Sequence, residues 1–386
     1  MEKKLKVGII GCGGVSKNHI NSHIGLPWRR DPSDGQFKFL LKSKDPYNEV
    51  AAICDLDKQK ATDTYEHYKS NGYEIKNVFY GIDSYKDILK LDLDAVSICV
   101  PPINDKIDII RDCLKKDNLH LLVEKPLSFD FSSAKIIYDE FKKIRTENRV
   151  FAMCYNWRNT YLMNKLRELI LNKKYGRLCF MEVIHNQAYN YSNPGSFYYD
   201  MGSMVDKNVH DINFMRYLNG EIKNIQRVIS YGNIPQSPDS ISINFEYENG
   251  VKARYYNMNG AGEGNNSLTV RCVFEKGTVI GFGSNINPEF EWKDADYYRI
   301  IGPEGEIFEQ DRFNSNRPEK FSIIDVGEQG GGALFHKNII EDFVKAVKTG
   351  SLSKSSIEDG YRDLQVIEAV KKANNNNISV DVFFDI

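Results

Sequence analysis

Apolar positions along this chain follow two regimes. In the first third they form short unbroken runs, 5–10, 49–55, 94–100 and 120–124, separated by stretches such as 58–68 and 106–116 in which apolar residues recur at helical spacing. In the second of these, Ile107, Ile110 and Leu114 share one face. Continuous runs alternating with amphipathic helices predict strands buried on both faces of a parallel sheet. A helix over 131–144, a strand over 150–155 and a helix over 164–171 follow. The pattern then shifts to closely spaced strands at 178–185, 225–231, 241–247, 251–258, 268–274 and 278–282, with turn signals at 248–250 and 276–277. A short helix over 212–218, closed by Gly220, interrupts them. Gly330, Gly331 and Gly332 mark a flexible entry to helices at 333–348 and 357–372, the asparagine run 374–377 reads as a turn, and 379–384 is strand-like.

The fold class expected is therefore an α/β N-terminal domain with a doubly wound parallel sheet, followed by an α+β domain with a large open, mostly antiparallel sheet. The boundaries read are 1–126 for the first, interrupted by an insertion at about 26–48, and 127–386 for the second, whose two last helices are expected to pack back toward the domain junction. The insertion is read as a surface loop by default, with a lid or an oligomer contact as alternatives.

Composition narrows the function classes. The 386 residues carry 51 basic and 53 acidic side chains, so there is no basic stripe or tail of the kind that nucleic acid or an anionic membrane selects. No apolar run reaches the roughly 18 to 20 residues of a membrane span. The first residues run straight into a strand pattern, and a soluble, cytoplasmic protein is expected. Seven scattered cysteines without a C-x-x-C pair suit buried thiols in a reducing compartment, and no H-E-x-x-H sequence occurs; no metal is expected.

Three local features carry chemistry. The first strand runs into Gly11-Cys12-Gly13-Gly14-Val15-Ser16, a G-x-G-x-x-S turn. Gly11 permits the tight turn, Gly13 lets the backbone approach a pyrophosphate, and Ser16 is small enough for helix–strand packing. The second strand ends in Asp55, a carboxylate suited to the adenosine ribose hydroxyls and hostile to a 2′-phosphate, which favours NAD and leaves NADP as the alternative. Pro101 and Pro102 stop the third strand, so the loop to Asn104 is expected to lie against the cofactor. The fourth strand ends in Glu124-Lys125-Pro126, placing an ammonium at the carboxyl edge of the sheet, where open α/β folds bind ligands; an ordinary surface ion pair is the competing reading.

Taken in this order, the glycine turn, Asp55, the Pro101-Pro102 loop and Glu124-Lys125-Pro126 resemble the glucose-fructose oxidoreductase, inositol dehydrogenase and MocA family. The resemblance implies that Lys125 lies between nicotinamide and substrate hydroxyl, that the Lys125–Pro126 bond is cis, and that Glu124 and Asn104 belong to the cofactor site. One departure is the absence of a family histidine a few residues after the proline loop, where Asn104 and Asp105 stand. The segment Asn156-Trp157-Arg158 is similar to the family's N-x-R, which makes Arg158 a cofactor or substrate contact, although an arginine beside Trp157 also suits simple stacking.

The segment from Asp206 to Asn213 is the second loaded stretch. By itself it reads as a helix N-terminus, with Asp206 or Asp211 as a cap and His210 as a structural histidine. The resemblance assigns His210 as general base assisted by Asp206, makes Lys207 a substrate contact, and leaves Asn213 where the family carries an acid. Tyr189 opens an aromatic-rich loop suited to sugar faces or to an interface. The implied activity is NAD(P)-dependent hydride transfer at a secondary hydroxyl of a sugar, sugar derivative or cyclic polyol, by a homodimer or homotetramer built on the second-domain sheet. A non-catalytic NAD(P)-sensing regulator and an NAD-dependent glycosidase on the same fold are the alternatives.

Overall fold

A computed structural model describes residues 4–25, 28–30, 37–39, 48–102, 104–144, 149–187, 197–231, 240–259, 267–284, 297–301, 303, 305, 307–310 and 331–383. Two compact units emerge. One takes in 1–156 and 327–361, the other 157–326 and 362–386.

In the first unit the chain runs through β1 (Leu5–Ile10), α1 (Gly14–Ile24), β2 (Trp28–Arg30), β3 (Phe37–Phe39), β4 (Asn48–Asp55), α2 (Lys58–Ser70), β5 (Asn77–Tyr80), α3 (Ser84–Ile88), β6 (Ala95–Ile98), α4 (Asn104–Leu114), β7 (His120–Glu124), α5 (Phe131–Ile144) and β8 (Phe151–Cys154). Six strands form one sheet in the order β5-β4-β1-β6-β7-β8, every neighbour parallel. The order reverses at β1, which puts the glycine turn at the topological switch point. Val7 and Ile9 of β1, Val50 and Ile53 of β4 and Leu122 of β7 are buried in one core with Ile20 and Ile24 of α1. The segment read as a loop insertion contains the paired β2 and β3, and its last residue, Asn48, is already the first of β4.

The second unit begins with α6 (Tyr161–Leu171), capped by the Thr160 hydroxyl at the Met163 amide, and continues through β9 (Leu178–Gln187), α7 (Phe197–Asp206), α8 (Asn208–Asn219), β10 (Ile222–Tyr231), β11 (Ser240–Tyr247), β12 (Lys252–Asn259), β13 (Ser267–Phe274), β14 (Gly277–Ser284), β15 (Tyr297–Ile301) and β16 (Ile307–Gln310). Last along the chain come α9 (Gly331–Thr349), which belongs to the first unit, then α10 (Ile357–Asn376) and the two-residue β17 (Val380–Asp381). Nine strands pair in the order β16-β15-β14-β13-β9-β12-β11-β10-β17. Seven of the eight pairings are antiparallel, and β9 with β12 is parallel. A side chain at Gly281 would meet Leu162 at 2.5 Å, so α6 lies almost on the β14 backbone. Along β12, Ala253, Tyr255 and Asn257 are buried while Lys252 and Arg254, on the other face, are exposed.

Several boundaries differ from the sequence reading. Gly331 and Gly332 are not a flexible entry; they begin α9, whose Ile339, Ile340, Phe343 and Val344 join the core of the first unit. The asparagine run is helical as far as Asn376, and the final strand shrinks to two residues. Residues 197–200, read as part of an aromatic loop, form the start of α7, and the helix read at 212–218 begins at Asn208.

Candidate active-site residues

At the carboxyl edge of the parallel sheet, backbone bonds gather the ends of three strands. Gly11 N–H donates to Cys54 O at 2.8 Å, and Cys99 N–H donates to Ile10 O at 2.7 Å. Gly11 has a φ of +96°, and a Cβ there would stand 3.0 Å from the Cys99 backbone, so both conformation and space demand glycine. Among the described residues nothing lies within 4 Å of a Cβ added at Gly13 or Gly14. Gly13 caps α1 without a side-chain bond, and no acid occupies the first turn. An uncapped helix N-terminus behind a bare glycine shelf fits a pyrophosphate. Val15 lies in this first turn, and buried Ser16 returns its hydroxyl to Gly13 O at 2.6 Å.

The Asp55 carboxylate accepts from Cys12 N at 2.6 Å and from Asp57 N at 2.8 Å. It thereby ties the second strand to the glycine turn, and a carboxylate has about four acceptor positions, which leaves capacity for a ribose diol. Pro101 is exposed and Pro102 buried. Asn104 is the first residue of α4, and only its backbone is described; Tyr189 lies outside the described residues.

Lys125 is half-buried at the end of β7, and its bond to Pro126 is cis. Beside it, Glu124 points inward, accepting from His19 Nε2 at 3.0 Å, with His336 Nε2 at 3.5 Å. Burial alone would raise the Glu124 carboxyl, but donation from the two imidazoles overrides it and holds the group well below the usual carboxylate range. Burial pushes His19 down despite that carboxylate, so the contact is a hydrogen bond from a neutral ring more than an ion pair. Cys154 Sγ stands 3.5 Å from His19 Nε2. His19, Glu124 and Cys154 thus bring one possible ligand atom each within 4.8 Å of the others, a grouping invisible in sequence spacing. Among the described residues His19 Nδ1 has no hydrogen-bond partner, whereas a ligating imidazole ordinarily needs an acceptor there, so a hydrogen-bonded cluster describes the set better than a metal centre. Burial pushes the Cys12, Cys54 and Cys272 thiols up to about 12, which keeps them protonated.

In the second unit, α7 bends at Gly202, whose φ is +75°, and ends at buried Asp206. Lys207 follows as the non-capping N-cap of α8, its Nζ 3.9 Å from Asp206 Oδ2, and His210 N–H donates to Lys207 O at 3.0 Å. Asp206 therefore closes one helix and is not the cap of the next. Buried Arg158 donates from Nε to Asn213 Oδ1 at 2.6 Å and lies over the Tyr217 ring at 5.2 Å. Arg167 lies over the same ring at 4.2 Å, while Arg177 goes elsewhere, to Glu275 at 2.7 Å.

Sequence reasoning missed His185. It projects from β9, buried, and its Nδ1 is held by both oxygens of Asp211 at 3.0 and 2.9 Å. Tyr255 donates to the same carboxylate at 2.5 Å, and the Trp157 ring meets the imidazole edge-on at 5.5 Å. This carboxylate fixes Nδ1 as the donor and sets the ring's orientation, the arrangement used for histidines that exchange protons. The signal available in sequence was a lone histidine in a strand, which has no partner until β9 and α8 are brought together.

A family profile described as an oxidoreductase family with NAD-binding Rossmann fold matches residues 5–151, and a GFO/IDH/MocA C-terminal domain profile matches 163–280. Together they take in more than half the chain. The uncharacterized oxidoreductase YrbE of Bacillus subtilis strain 168 is 21% identical over 265 residues, 66% of this chain and 67% of that protein. Among solved structures, myo-inositol 2-dehydrogenase from Lactobacillus plantarum superposes with a TM-score of 0.69 at 19% identity, covering 99% of this chain and 100% of that one. Levoglucosan dehydrogenase in complex with NADH and L-sorbose gives a TM-score of 0.72 at 19% identity with the same coverage. The scyllo-inositol dehydrogenase from Lactobacillus casei gives 0.68 at 17%, covering 99% of both chains. Among the described residues no helix is long and apolar enough to cross a membrane.

Proposed function

The chain belongs to the Gfo/Idh/MocA family of NAD-binding oxidoreductases, and from that premise we propose that it is a dehydrogenase acting on a secondary hydroxyl, or the corresponding ketone, of a sugar, sugar derivative or cyclic polyol of the inositol kind. The observation that carries the reading is that both sets of groups this chemistry needs are retained, Lys125 at the end of β7 and the Asp206 to His210 pair at the α7–α8 junction. Proteins of the same fold are described as dehydrogenases of myo-inositol, scyllo-inositol and levoglucosan, which favours a polyhydroxylated substrate.

The turn of Gly11, Gly13, Gly14, Val15 and Ser16 would hold the cofactor's pyrophosphate on the α1 N-terminus, and Asp55 its ribose, with NAD preferred over NADP. Pro101, Pro102, Asn104 and Glu124 would border the nicotinamide end. The bound nicotinamide supplies the hydride chemistry. His210 takes the hydroxyl proton with Asp206 beside it, and Lys125 hydrogen-bonds the oxygen on which negative charge develops. Arg158, Lys207 and Tyr189 are assigned to the substrate's remaining hydroxyls. Residues 1–126 act as the cofactor domain, and the remainder as the substrate domain. The face of the nine-stranded sheet on which Lys252 and Arg254 are exposed is assigned to pairing with a second copy, and the buried free thiols suit a reducing cytoplasm.

A panel of inositols, sugars, sugar phosphates and nucleotide sugars, followed by NADH and NADPH absorbance, tests the activity. With the polyol that turns over, Lys125→Ala and His210→Ala each lower the rate at least ~100-fold while NAD still binds. Near-normal rates in both variants overturn the residue roles, and no reduction of either cofactor by any polyol overturns the substrate class.

A further inference from the structure

Lys106 is the third residue of α4, and its side chain is wholly buried. Its position gains nothing locally, since a cation in the first turn of a helix opposes the helix dipole. Burying an ammonium persists only where partners replace its water. Two carbonyls do so here. Lys106 Nζ donates to Glu124 O at 2.5 Å and to Pro126 O at 2.6 Å, the residues immediately before and after Lys125.

On the assignment of Lys125 as the oxygen-side group, we propose that Lys106 is a positioning residue for Lys125: its ammonium holds the carbonyls on either side and fixes the backbone from which Lys125 leaves the sheet. Residue 124 is consequently held at both ends, its carbonyl by Lys106 and its carboxylate by His19 of α1 and His336 of α9. Because α4 begins just beyond Pro101-Pro102, the same contact ties that loop to the 124–126 segment. The titratable groups around the ammonium are Glu124, Lys125, Cys154 and Cys99. Burial pushes Lys106 down to about 7, with Glu124 opposing. Either protonation state keeps two N–H donors for the two carbonyls, so the clamp does not depend on the charge.

The test uses the full chain with NAD and myo-inositol, or the fastest polyol of the panel. Lys106→Met is compared with Lys106→Gln, which keeps an N–H donor, each alone and combined with Lys125→Met. The rate, the KM and NADH affinity by fluorescence are read, together with amide hydrogen exchange of the 122–128 peptide without nucleotide. In Lys106→Met, kcat falls on the order of 100-fold. KM and NADH affinity stay within about threefold, since uniform binding is untouched. The 122–128 peptide exchanges faster, and Lys106→Gln recovers part of the rate. On the Lys125→Met background the same change costs less than about twofold, because residues acting as a unit are not additive. An equal fractional loss on both backgrounds means that Lys106 supports only folding, and overturns the proposal. So does a wild-type rate in Lys106→Met, or unchanged exchange of the peptide. If Lys106→Met does not fold, Lys106→Gln carries the same comparison. A wild-type rate in Lys125→Met alone strikes instead the assignment on which the inference rests, and removes the inference with it.

Discussion

Acid should weaken the cofactor-binding unit through its buried histidines, and the share of His23, near the end of the helix that carries the glycine turn, can be isolated. Its ring is fully buried; Asn48 Nδ2 donates to Nδ1 at 2.9 Å, so Nε2 carries the hydrogen and donates to Ser97 Oγ at 3.0 Å. A second proton would sit on Nδ1, facing the Asn48 N–H. Burial, and then the neighbouring His19, pushes this imidazole from 6.5 to about 3. The unfolded chain therefore takes up a proton as pH falls below its ordinary value, and the folded chain does not until about pH 3. The stabilisation is complete above the unfolded value and is lost progressively on acidification, until the folded group titrates. At pH 5 the loss is about 2 kcal/mol, from ~1.4 kcal/mol per pH unit. Urea unfolding at pH 7 and pH 5 measures it against His23→Gln. The variant starts less stable by ~1–3 kcal/mol, because Asn48 and Ser97 lose their partner. Its further loss between the two pH values should nevertheless be about 2 kcal/mol smaller than that of the native chain. His19, His67 and His120, also pushed down by burial, titrate in both proteins and cancel in the comparison. An identical acid-induced loss in the two proteins would refute the reasoning.

Two further changes probe the second unit. Asp211→Asn weakens the hold on His185 and Tyr255, and should cost about 2–3 kcal/mol in urea unfolding, the value of hydrogen bonds to a charged group. If His185 serves the substrate, turnover falls as well, and Tyr255→Phe, which leaves the Asp211–His185 contact in place, retains more of it. Asp363→Asn removes one of the negative charges that pair with the buried Arg216 guanidinium and should cost about 3 kcal/mol. Glu221→Gln, at a carboxylate 20% exposed, should cost less in the same unfolding experiment.

The central strands were legible because parallel strands buried on both faces are continuous apolar runs, and β1, β4, β6 and β7 lie within a residue or two of where the pattern put them. The edge strand β5 was not, since its four residues are half-exposed and carry no run. The helix α8 misled for the opposite reason. Asn208, His210, Asp211, Asn213 and Arg216 are all buried, so polar residues face inward and the apolar stripe that marks a helix exists only in its second half. Periodicity reports which face is dry only where the buried face is also apolar.

The site divides along the same line. The glycine turn, Asp55 and Lys125 announce themselves through neighbours in sequence. His185 with Asp211 and Lys106 with the Lys125 segment meet across 18 to 26 residues, and His19 with Glu124 across 105. Asn213 shows what this changes. Read alone, it is a missing acid. In the folded chain its amide accepts from Arg158 and donates to Asp363 Oδ2 at 2.6 Å, while Asp363 also takes Arg216. A carboxylate at 213 would stand at hydrogen-bond distance from the buried Asp363 carboxylate with no proton between them, a repulsion that low-dielectric surroundings amplify. The negative charge of this region is supplied 150 residues further along, from α10, and an amide is the group that can join it to Arg158. Asn213 is thus a requirement set by Asp363, and its amide links that carboxylate to Arg158.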